Sequence, residues 1–290
     1  MTVVSLRLPR RAAAGDRSPA SASLAVARRR PPVDVLVSIA VLAVVLVWSV
    51  APGLVTSQDP ADGVPADKLL GPSAAHWFGT DHLGRDVFTR VVYGSSSSVL
   101  SALVAVAIGL LVGGLIGLIA GFIGGWVDST LSRLVDVLLA IPGFLLAVVI
   151  VTALGFQTIN AAIATGVSAV AVFARLMRAE TIRTRQSVFV EAAYLQGGSA
   201  THVLTRHVLP NASRSVVALA VLQFGVSILV IASLAFLGYG DPPPASDWGL
   251  LVSAGKDYPT APWLVYTPAV VIIATVLALN RVSRWLRKTD

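Results

Sequence analysis

The chain has 290 residues, of which 55% are hydrophobic and only 13% are charged, and its formal net charge is +7. Its mean hydropathy is +0.79. A soluble domain is about one quarter charged, so this composition excludes an ordinary soluble enzyme. Because the chain contains no cysteine, disulfides, thiol catalysis and iron–sulfur ligation by its own residues are excluded as well.

The amino-terminal segment is rich in Ala, Arg, Ser and Pro and shows no apolar period. Such a composition favours disorder, and we expect residues 1–33 to form a disordered, basic cytoplasmic tail. A cleavable signal peptide is not expected. The first apolar run is long enough to span a bilayer and ends in Ala-Pro-Gly, which is not a cleavage site.

Six charge-free apolar stretches follow, at residues 35–51, 96–120, 137–156, 158–174, 215–237 and 263–280. A helix that crosses a bilayer needs about 17 to 25 apolar residues, so each stretch can span. Strands are excluded, because membrane barrels use short segments of alternating polarity. We therefore predict an all-α integral membrane protein with six transmembrane helices. Pro142 and Pro268 should bend the spans that contain them.

The orientation follows from the 22 Lys and Arg residues. Eighteen lie in segments that are cytoplasmic if the amino terminus is inside, and the other four are Lys68, Arg85, Arg90 and Lys256. Short loops rich in Lys and Arg stay in the cytoplasm, so both termini are predicted to be cytoplasmic. This distribution explains the basic character of the chain, and no nucleic-acid partner is expected.

Residues 34–95 are predicted to hold the first transmembrane helix and an extracytoplasmic segment. In that segment Phe-Gly-Thr-Asp is followed by Gly-Arg-Asp and then by Arg-x-x-x-Gly. The positions of this signature segment are Gly79, Thr80, Asp81, Gly84, Arg85 and Asp86, with Arg90 and Gly94 after them. The serines at 95 to 98 are expected to cap the first amides of the second span.

Glycines recur every four residues in and just after the second span, at positions 109, 113, 117, 121 and 125. They share one helix face and allow close approach of another backbone. We expect that face to pack within the subunit, with a second subunit as the alternative. Asp136, near the third span, is expected to pair with Arg133 one helical turn earlier.

A polar segment separates the fourth and fifth apolar stretches. It contains Glu191, Ala192 and Ala193, then Gly197, then Leu209 and Pro210. The alanines favour helix, Gly197 permits a sharp break, and Ser199 can cap a second helix. We therefore predict two short helices that meet at a turn, with Glu191 in the first turn of the first helix and pointing outward. Pairing of Glu191 with Arg185 is the alternative.

The segment from Glu191 to Pro210 resembles the cytoplasmic coupling motif of the membrane-spanning subunits of ABC importers, which is the docking site for an ATPase subunit. The signature segment resembles that of the dipeptide, oligopeptide and nickel branch of these permeases. The resemblance runs from about residue 77 to the carboxyl end. It implies a type I importer permease domain at residues 96–290, with a coupling loop at 176–213, in the bacterial inner (plasma) membrane. Relatives carry an Arg where this chain has Ser96.

The resemblance also implies several partners: a second homologous permease subunit, one or two ABC ATPase subunits and an extracytoplasmic substrate-binding protein. The chain has no glycine-rich phosphate loop ending in Gly-Lys-Ser or Gly-Lys-Thr. We therefore expect no enzymatic activity and no bound cofactor or metal in this chain, with ATP and Mg on the partner ATPase subunits.

Polar groups within the spans are candidates for the translocation path, since they usually face protein or water. Gln223, Ser227 and Thr152 are predicted to line it. Short peptides are the expected substrate, and nickel chelates or glutathione are alternatives by analogy. An ion-coupled secondary transporter would need ionisable groups within its spans, and a membrane-embedded hydrolase would need a catalytic set at that depth. The six stretches contain no Asp, Glu, Lys, Arg or His.

Overall fold

A computed structural model describes residues 32–289, with side chains up to Trp285. The predicted tail at residues 1–33 lies almost entirely outside this range. Its regular elements are all helical, which confirms the all-α prediction. The helices are α1 Val33–Val50, α2 Val87–Ile108, α3 Gly114–Ile123, α4 Gly125–Ala140, α5 Gly143–Leu154, α6 Thr158–Arg185, α7 Val188–Leu195, α8 Ala200–Val203, α9 Leu209–Leu234, α10 Trp248–Gly255 and α11 Trp263–Thr289.

Five continuous helical segments in the described range are long and apolar enough to span a membrane. They are Val33–Val50, Val87–Ile123, Thr158–Arg185, Ala200–Tyr239 and Trp263–Trp285. Wide π-type turns join α2 to α3, at Gly109–Gly113, and α8 to α9, at Leu204–Val208. The protein is therefore a multi-pass membrane protein.

The predicted third span is not one straight helix. Helices α4 and α5 meet there at an angle of 89°. Only if the two helices together are counted as one span does the described part of the chain have six spans. The break lies at Ile141 and Pro142, where Ile141 is extended. Proline lacks an amide hydrogen and disfavours helical geometry in the residue before it, which explains the break. By contrast, α11 continues through Pro268. The count of six spans stays a prediction.

The second span begins earlier than its hydropathy indicates, at Val87. Asp86 is its cap, because Oδ2 of Asp86 accepts a hydrogen bond from the amide of Thr89 at 2.7 Å. The prediction that the serines at 95 to 98 cap this helix is therefore wrong. They lie inside it, and Ser95 and Ser96 donate to the carbonyl oxygens of Val91 and Ser49.

The glycine face packs within the subunit, as predicted, for four of its five members. A Cβ atom at Gly113 would lie 2.3 Å from the carbonyl oxygen of Val170, and one at Gly117 would lie 2.3 Å from that of Ala174. The backbones of α3 and α6 are therefore in close contact. Gly125 belongs to the next helix, and a Cβ there would meet nothing within 4 Å.

The first and last helices lie side by side. Asp34, at the start of α1, forms an ion pair with Arg281, near the end of α11. At the opposite end of the bundle, Ser49 in the last turn of α1 contacts Ser95 and Ser96 of α2. The start of the first helix and the end of the last are therefore at the same end of the bundle. Their location in the cytoplasm stays a prediction.

Candidate functional site

The segment from Glu191 to Pro210 that resembles the coupling motif is called here the coupling segment. It begins in α7, a short helix that follows the end of α6. Glu191 lies in its first turn and is exposed. Among the described residues it has no ion pair. The alternative partner, Arg185, donates instead from Nη1 to the carbonyl oxygen of Phe122 at 2.9 Å. The carboxylate of Glu191 is thus available to another molecule.

Four large hydrophobic side chains of α7 are also exposed, Phe189 and Tyr194 partly and Val188 and Leu195 almost completely. Val188 is 82% exposed and Leu195 is 83% exposed. Exposed apolar side chains rimmed by polar residues mark surfaces that bind another protein or a membrane. The combination is typical of a docking surface.

The other face of α7 is attached to the bundle. Val190 is buried with Val203 and Val208, and this cluster packs against Leu118 and Phe122 of α3. Ala192 and Ala193 are half-buried at its edge. A force on α7 would therefore reach α3 through direct contact.

The predicted turn after α7 is present. Gly197 has a φ of +85°, and the amide of Gly198 donates to the carbonyl oxygen of Ala193 at 3.0 Å. Ser199 caps the next helix, because its hydroxyl accepts from the amide of His202 at 3.3 Å. The sequence pattern predicted both the break and the cap.

The second helix, however, is not short. It runs from Ala200 through Leu209 and Pro210 into the following span. A proline leaves the carbonyl four residues earlier without its helical donor, and the wide turn at Leu204–Val208 accommodates this defect. Leu209 packs against a hydrophobic cluster that includes Phe173 of α6. The coupling segment is thus one short helix and the start of a long one, which connects it directly to α9.

The signature segment forms a buried ionic network around Asp81. Oδ1 of Asp81 accepts from the amides of Leu83 and Arg85, at 2.8 and 3.0 Å. Oδ2 accepts from Nε of Arg85 and from Nη1 of Arg90, each at 2.7 Å. Arg90 also donates to the carbonyl oxygen of Ala245 at 2.9 Å. One carboxylate therefore joins the outer segment, α2 and the loop before α10.

These contacts determine the ionisation of Asp81. Burial raises its pKa, but hydrogen bonds from the amides of Arg85 and Leu83 and from the Arg85 guanidinium outweigh that effect. The pKa of Asp81 is therefore lowered, and the carboxylate is ionised at neutral pH.

The remaining signature residues shape the same segment. The hydroxyl of Thr80 donates to the carbonyl of Asp67 and accepts from the amide of Leu70 at 2.8 Å. Gly84 has a φ of +77°, and a Cβ there would lie 1.9 Å from the carbonyl oxygen of Val64. At Gly79 a Cβ would lie 2.6 Å from the carbonyl oxygen of Leu70. Every predicted member of this segment therefore has a structural contact in the outer region.

The sequence did not predict the contacts at the start of α10. Trp248 is fully buried, its indole donates to the carbonyl oxygen of Val91 at 3.1 Å, and its amide donates to the hydroxyl of Ser98. Asp247 caps α10 by accepting from the amide of Leu250. An Asp directly before an apolar run is a signal for a helix start, and it could have located α10.

Two ion pairs join α4 to α6. Arg178 binds Asp128 with two nitrogens, one of them Nη2 at 2.6 Å from Oδ2. Arg175 pairs with Asp136 at 2.6 Å. The predicted pairing of Asp136 with Arg133 is therefore wrong, because a residue of the packed neighbouring helix takes that place.

The three predicted path residues do not share one exposed surface. Thr152 is exposed on α5, and its hydroxyl donates to the carbonyl oxygen of Val148 at 2.8 Å. Gln223 is half-buried on α9. Ser227 is fully buried, and its hydroxyl has no hydrogen-bond partner among the described residues. Their role in a path stays a prediction.

Comparison with known proteins agrees with this arrangement. Residues 113–289 match the family described as binding-protein-dependent transport system inner membrane component. The chain is 41% identical over 235 residues to the dipeptide transport system permease protein DppC of Alkalihalophilus pseudofirmus, covering 81% of this chain and 77% of that protein. It is 43% identical over 249 residues to the glutathione transport system permease protein GsiD of Salmonella typhimurium, covering 85% and 82%.

A solved structure supports the fold. The chain superposes on a protein in a crystal structure of an amino acid ABC transporter with histidines, with a TM-score of 0.56 and 16% identity. The match covers 69% of this chain and 94% of that one. The chain therefore belongs to the family of binding-protein-dependent transport system inner membrane components and is an ABC importer permease of the dipeptide and glutathione type.

Proposed function

We propose that this permease forms half of the translocation path of an ATP-driven importer of short peptides. A second homologous permease supplies the other half, and an extracytoplasmic binding protein delivers the peptide. One or two ABC ATPase subunits bind ATP and Mg and drive transport. This chain itself is not catalytic.

The observation that carries this proposal is the exposed face of α7. Glu191 offers a carboxylate without an ion pair among the described residues, next to the exposed Val188 and Leu195. The opposite face is packed against α3, and the following helix continues into α9. An ATPase that moves α7 would therefore move two spans, which is what coupling of ATP hydrolysis to transport requires.

Two observations support a short peptide as the substrate: the names of the relatives and the absence of charged residues from the six apolar stretches. The relatives transport dipeptides or glutathione according to their names. Glutathione, itself a tripeptide, is the second candidate for this reason. Uncharged polar groups such as Thr152 and Gln223 would suit peptide backbones without selecting a particular charge.

Purification from the native membrane in a mild detergent tests the assembly. We expect a second permease and an ATPase to accompany the tagged chain in stoichiometric amounts, as identified by mass spectrometry. A chain that emerges alone from several detergents would contradict the proposal and favour the ion-coupled alternative.

Uptake by cells that lack the chromosomal copy tests the substrate. A labelled dipeptide, glutathione and a nickel chelate should be compared with and without the restored chain. We expect ATP-dependent dipeptide uptake only with the chain present. Uptake of glutathione alone would select the second candidate, and uptake that a protonophore abolishes while ATP remains would exclude an ABC mechanism.

A further inference from the structure

A groove runs between α6 and α9 at the end of the bundle that carries the coupling segment. One part, of about 950 Å³, is lined by Leu176 of α6 and by Arg214, Val217 and Leu219 of α9. A second part, of about 370 Å³, includes Arg183 and shares Arg214 and Ser215 with the first. The two parts form a single groove, called here the α6–α9 groove.

The groove changes polarity along its length, and both walls change in the same direction. Toward the middle of the bundle its lining is apolar, with Leu176 on one wall and Val217, Ala218 and Leu219 on the other, and Ser213, Arg214 and Ser215 border this part where the two parts meet. Toward the end of the bundle the lining is mostly polar, with Arg183 on one wall and Arg214 beside Ser215 on the other, and Phe189 of α7 is its one apolar side chain. An occupant that fits both parts must be apolar at one end and anionic at the other.

The basic end has one guanidinium that is free to bind. Arg214 is exposed and has no ion pair or hydrogen bond within the part of the chain that the structure describes. Arg183 is already neutralised, since its Nη2 lies 2.5 Å from Oε2 of Glu180. The net charge offered by the groove is therefore one cation, which matches one phosphodiester.

We propose that the α6–α9 groove binds an anionic phospholipid, with the phosphate on Arg214 and Ser215 and an acyl chain along Leu176, Val217 and Leu219. Basic pockets between transmembrane helices on the cytoplasmic side are suited to anionic head groups. The apolar lining continues into the hydrophobic cluster shared by α6 and α9, because Leu176 and Leu219 pack against that cluster. A bound lipid would thus contact both helices that flank the coupling segment.

Lipid retention by the purified full-length chain tests this proposal. The chain is incubated in detergent with equal amounts of phosphatidylglycerol and phosphatidylcholine, and the lipid that remains bound is quantified by mass spectrometry. We expect a preference for phosphatidylglycerol of about fivefold, the contribution of one basic residue near an anionic surface. The Arg214→Gln variant should lose this preference. The Arg133→Gln variant should keep it, because Arg133 is exposed on α4 and outside the groove.

Equal retention of the two lipids by the unaltered chain, or an unchanged preference in Arg214→Gln, would overturn the proposal. If Arg214→Gln does not fold, the Val217→Trp variant decides the question. Val217 is 55% exposed, so a larger side chain fills the apolar part without disturbing the core. If the Val217→Trp variant, in which Arg214 is intact, loses bound phosphatidylglycerol, the result supports a lipid in the groove. Full retention of phosphatidylglycerol by this variant contradicts the proposal.

Photo-crosslinking identifies the occupant in native membranes. A benzophenone amino acid replaces Val217, and the chain is irradiated before extraction. A mass increase equal to a phospholipid supports the proposal. Attachment to a second membrane protein would show that another subunit covers the groove and would overturn it.

Discussion

Arg90, in the first turn of α2, donates from Nη1 to Oδ2 of Asp81 at 2.7 Å, and both side chains are buried. The contact fixes the outer signature segment to the start of a span. Since Arg90 also reaches the carbonyl oxygen of Ala245, the same side chain holds the loop before α10. The signature segment thus holds the start of α2 and the loop before α10 together.

The Arg90→Ala substitution should destabilise this end strongly. It leaves Asp81 with one cationic partner and removes the donor to Ala245. Breaking a buried ion pair costs about 3 kcal/mol or more. The melting temperature in detergent and protease sensitivity of the outer segment measure the effect. Lys68→Ala, at an exposed position of the same segment, is the control and should match the unaltered chain.

Two glycines of α3 make a matched pair for testing the contact with α6. A Cβ at Gly117 would lie 2.3 Å from the carbonyl oxygen of Ala174, whereas a Cβ at Gly114 would meet nothing within 4 Å. Gly117→Ala should cost about 1 to 3 kcal/mol through overpacking. Gly114→Ala should be neutral or stabilising by up to about 1 kcal/mol. Equal melting temperatures for the two variants would contradict the close packing of α3 on α6.

Asp247 carries a buried carboxyl whose ionisation opposes folding. Burial raises its pKa, and the nearby Asp241 adds to this, although the hydrogen bond from Leu250 acts against it. A carboxyl with a raised folded pKa binds its proton more tightly in the native state than in the unfolded state. Stability is therefore lost as the pH rises from the ordinary pKa of Asp, about 4, through the raised value.

The Asp247→Asn variant should consequently melt at a higher temperature than the unaltered chain at pH 7 to 8. The amide oxygen can still cap α10, since Asn is as good a cap as Asp. The difference should shrink as the pH falls below about 4, where the carboxyl becomes protonated in both states. Asp257→Asn, at an exposed position, controls for the loss of one carboxylate and should melt as the unaltered chain does at pH 7 to 8. A lower melting temperature for Asp247→Asn than for the unaltered chain at pH 8 would mean that the charge of Asp247 stabilises the fold, and it would contradict this prediction.

Local signals in the sequence predicted much of the fold. The first apolar stretch, 35–51, corresponds to α1 at Val33–Val50. Gly197 and Ser199 predicted the turn and the cap, because both depend on the conformational freedom or hydrogen bonding of a single residue. The residues of the signature segment were recognised in the sequence, but the hydrogen bonds and ion pairs that they form around Asp81 could not be predicted from it.

Long-range contacts explain what the sequence did not predict. Hydropathy excluded Thr89 and Arg90 from the second span, yet both are buried in α2, and Arg90 is held there by Asp81 and Ala245. Trp248 hydrogen-bonds to Val91, 157 positions away in the chain. The partner of Asp136 proved to be Arg175 on another helix. Hydrophobic period and spacing carry no information about such pairs.

Reversal of the charge at Glu191 tests the docking surface. The Glu191→Lys subunit should insert normally, because the side chain is exposed and has no ion pair among the described residues. Its association with the ATPase should weaken by about thirtyfold if Glu191 is an interface hot spot worth about 2 kcal/mol. Uptake and the amount of co-purified ATPase, at equal expression, measure the loss.

The Ser129→Lys variant controls for the added positive charge, since Ser129 is exposed on α4 and outside the coupling segment. We expect it to transport as the unaltered chain does. Unimpaired uptake by Glu191→Lys would show that the docking surface has been misassigned.

Gly197 tests whether the geometry of the turn, and not only the charge beside it, is needed for coupling. Its φ is +85°, and a Cβ there would meet nothing within 4 Å, so a larger residue is opposed by backbone strain alone. Gly197→Val should cost about 1 to 2 kcal/mol, or more for its branched side chain, and should displace α7 from Val203 and Val208. Gly197→Asn is the matched variant, because Asn tolerates positive φ. We expect uptake and ATPase retention to fall in the Val variant and to persist in the Asn variant. Equal activity of the two would indicate that the turn can change shape without uncoupling transport.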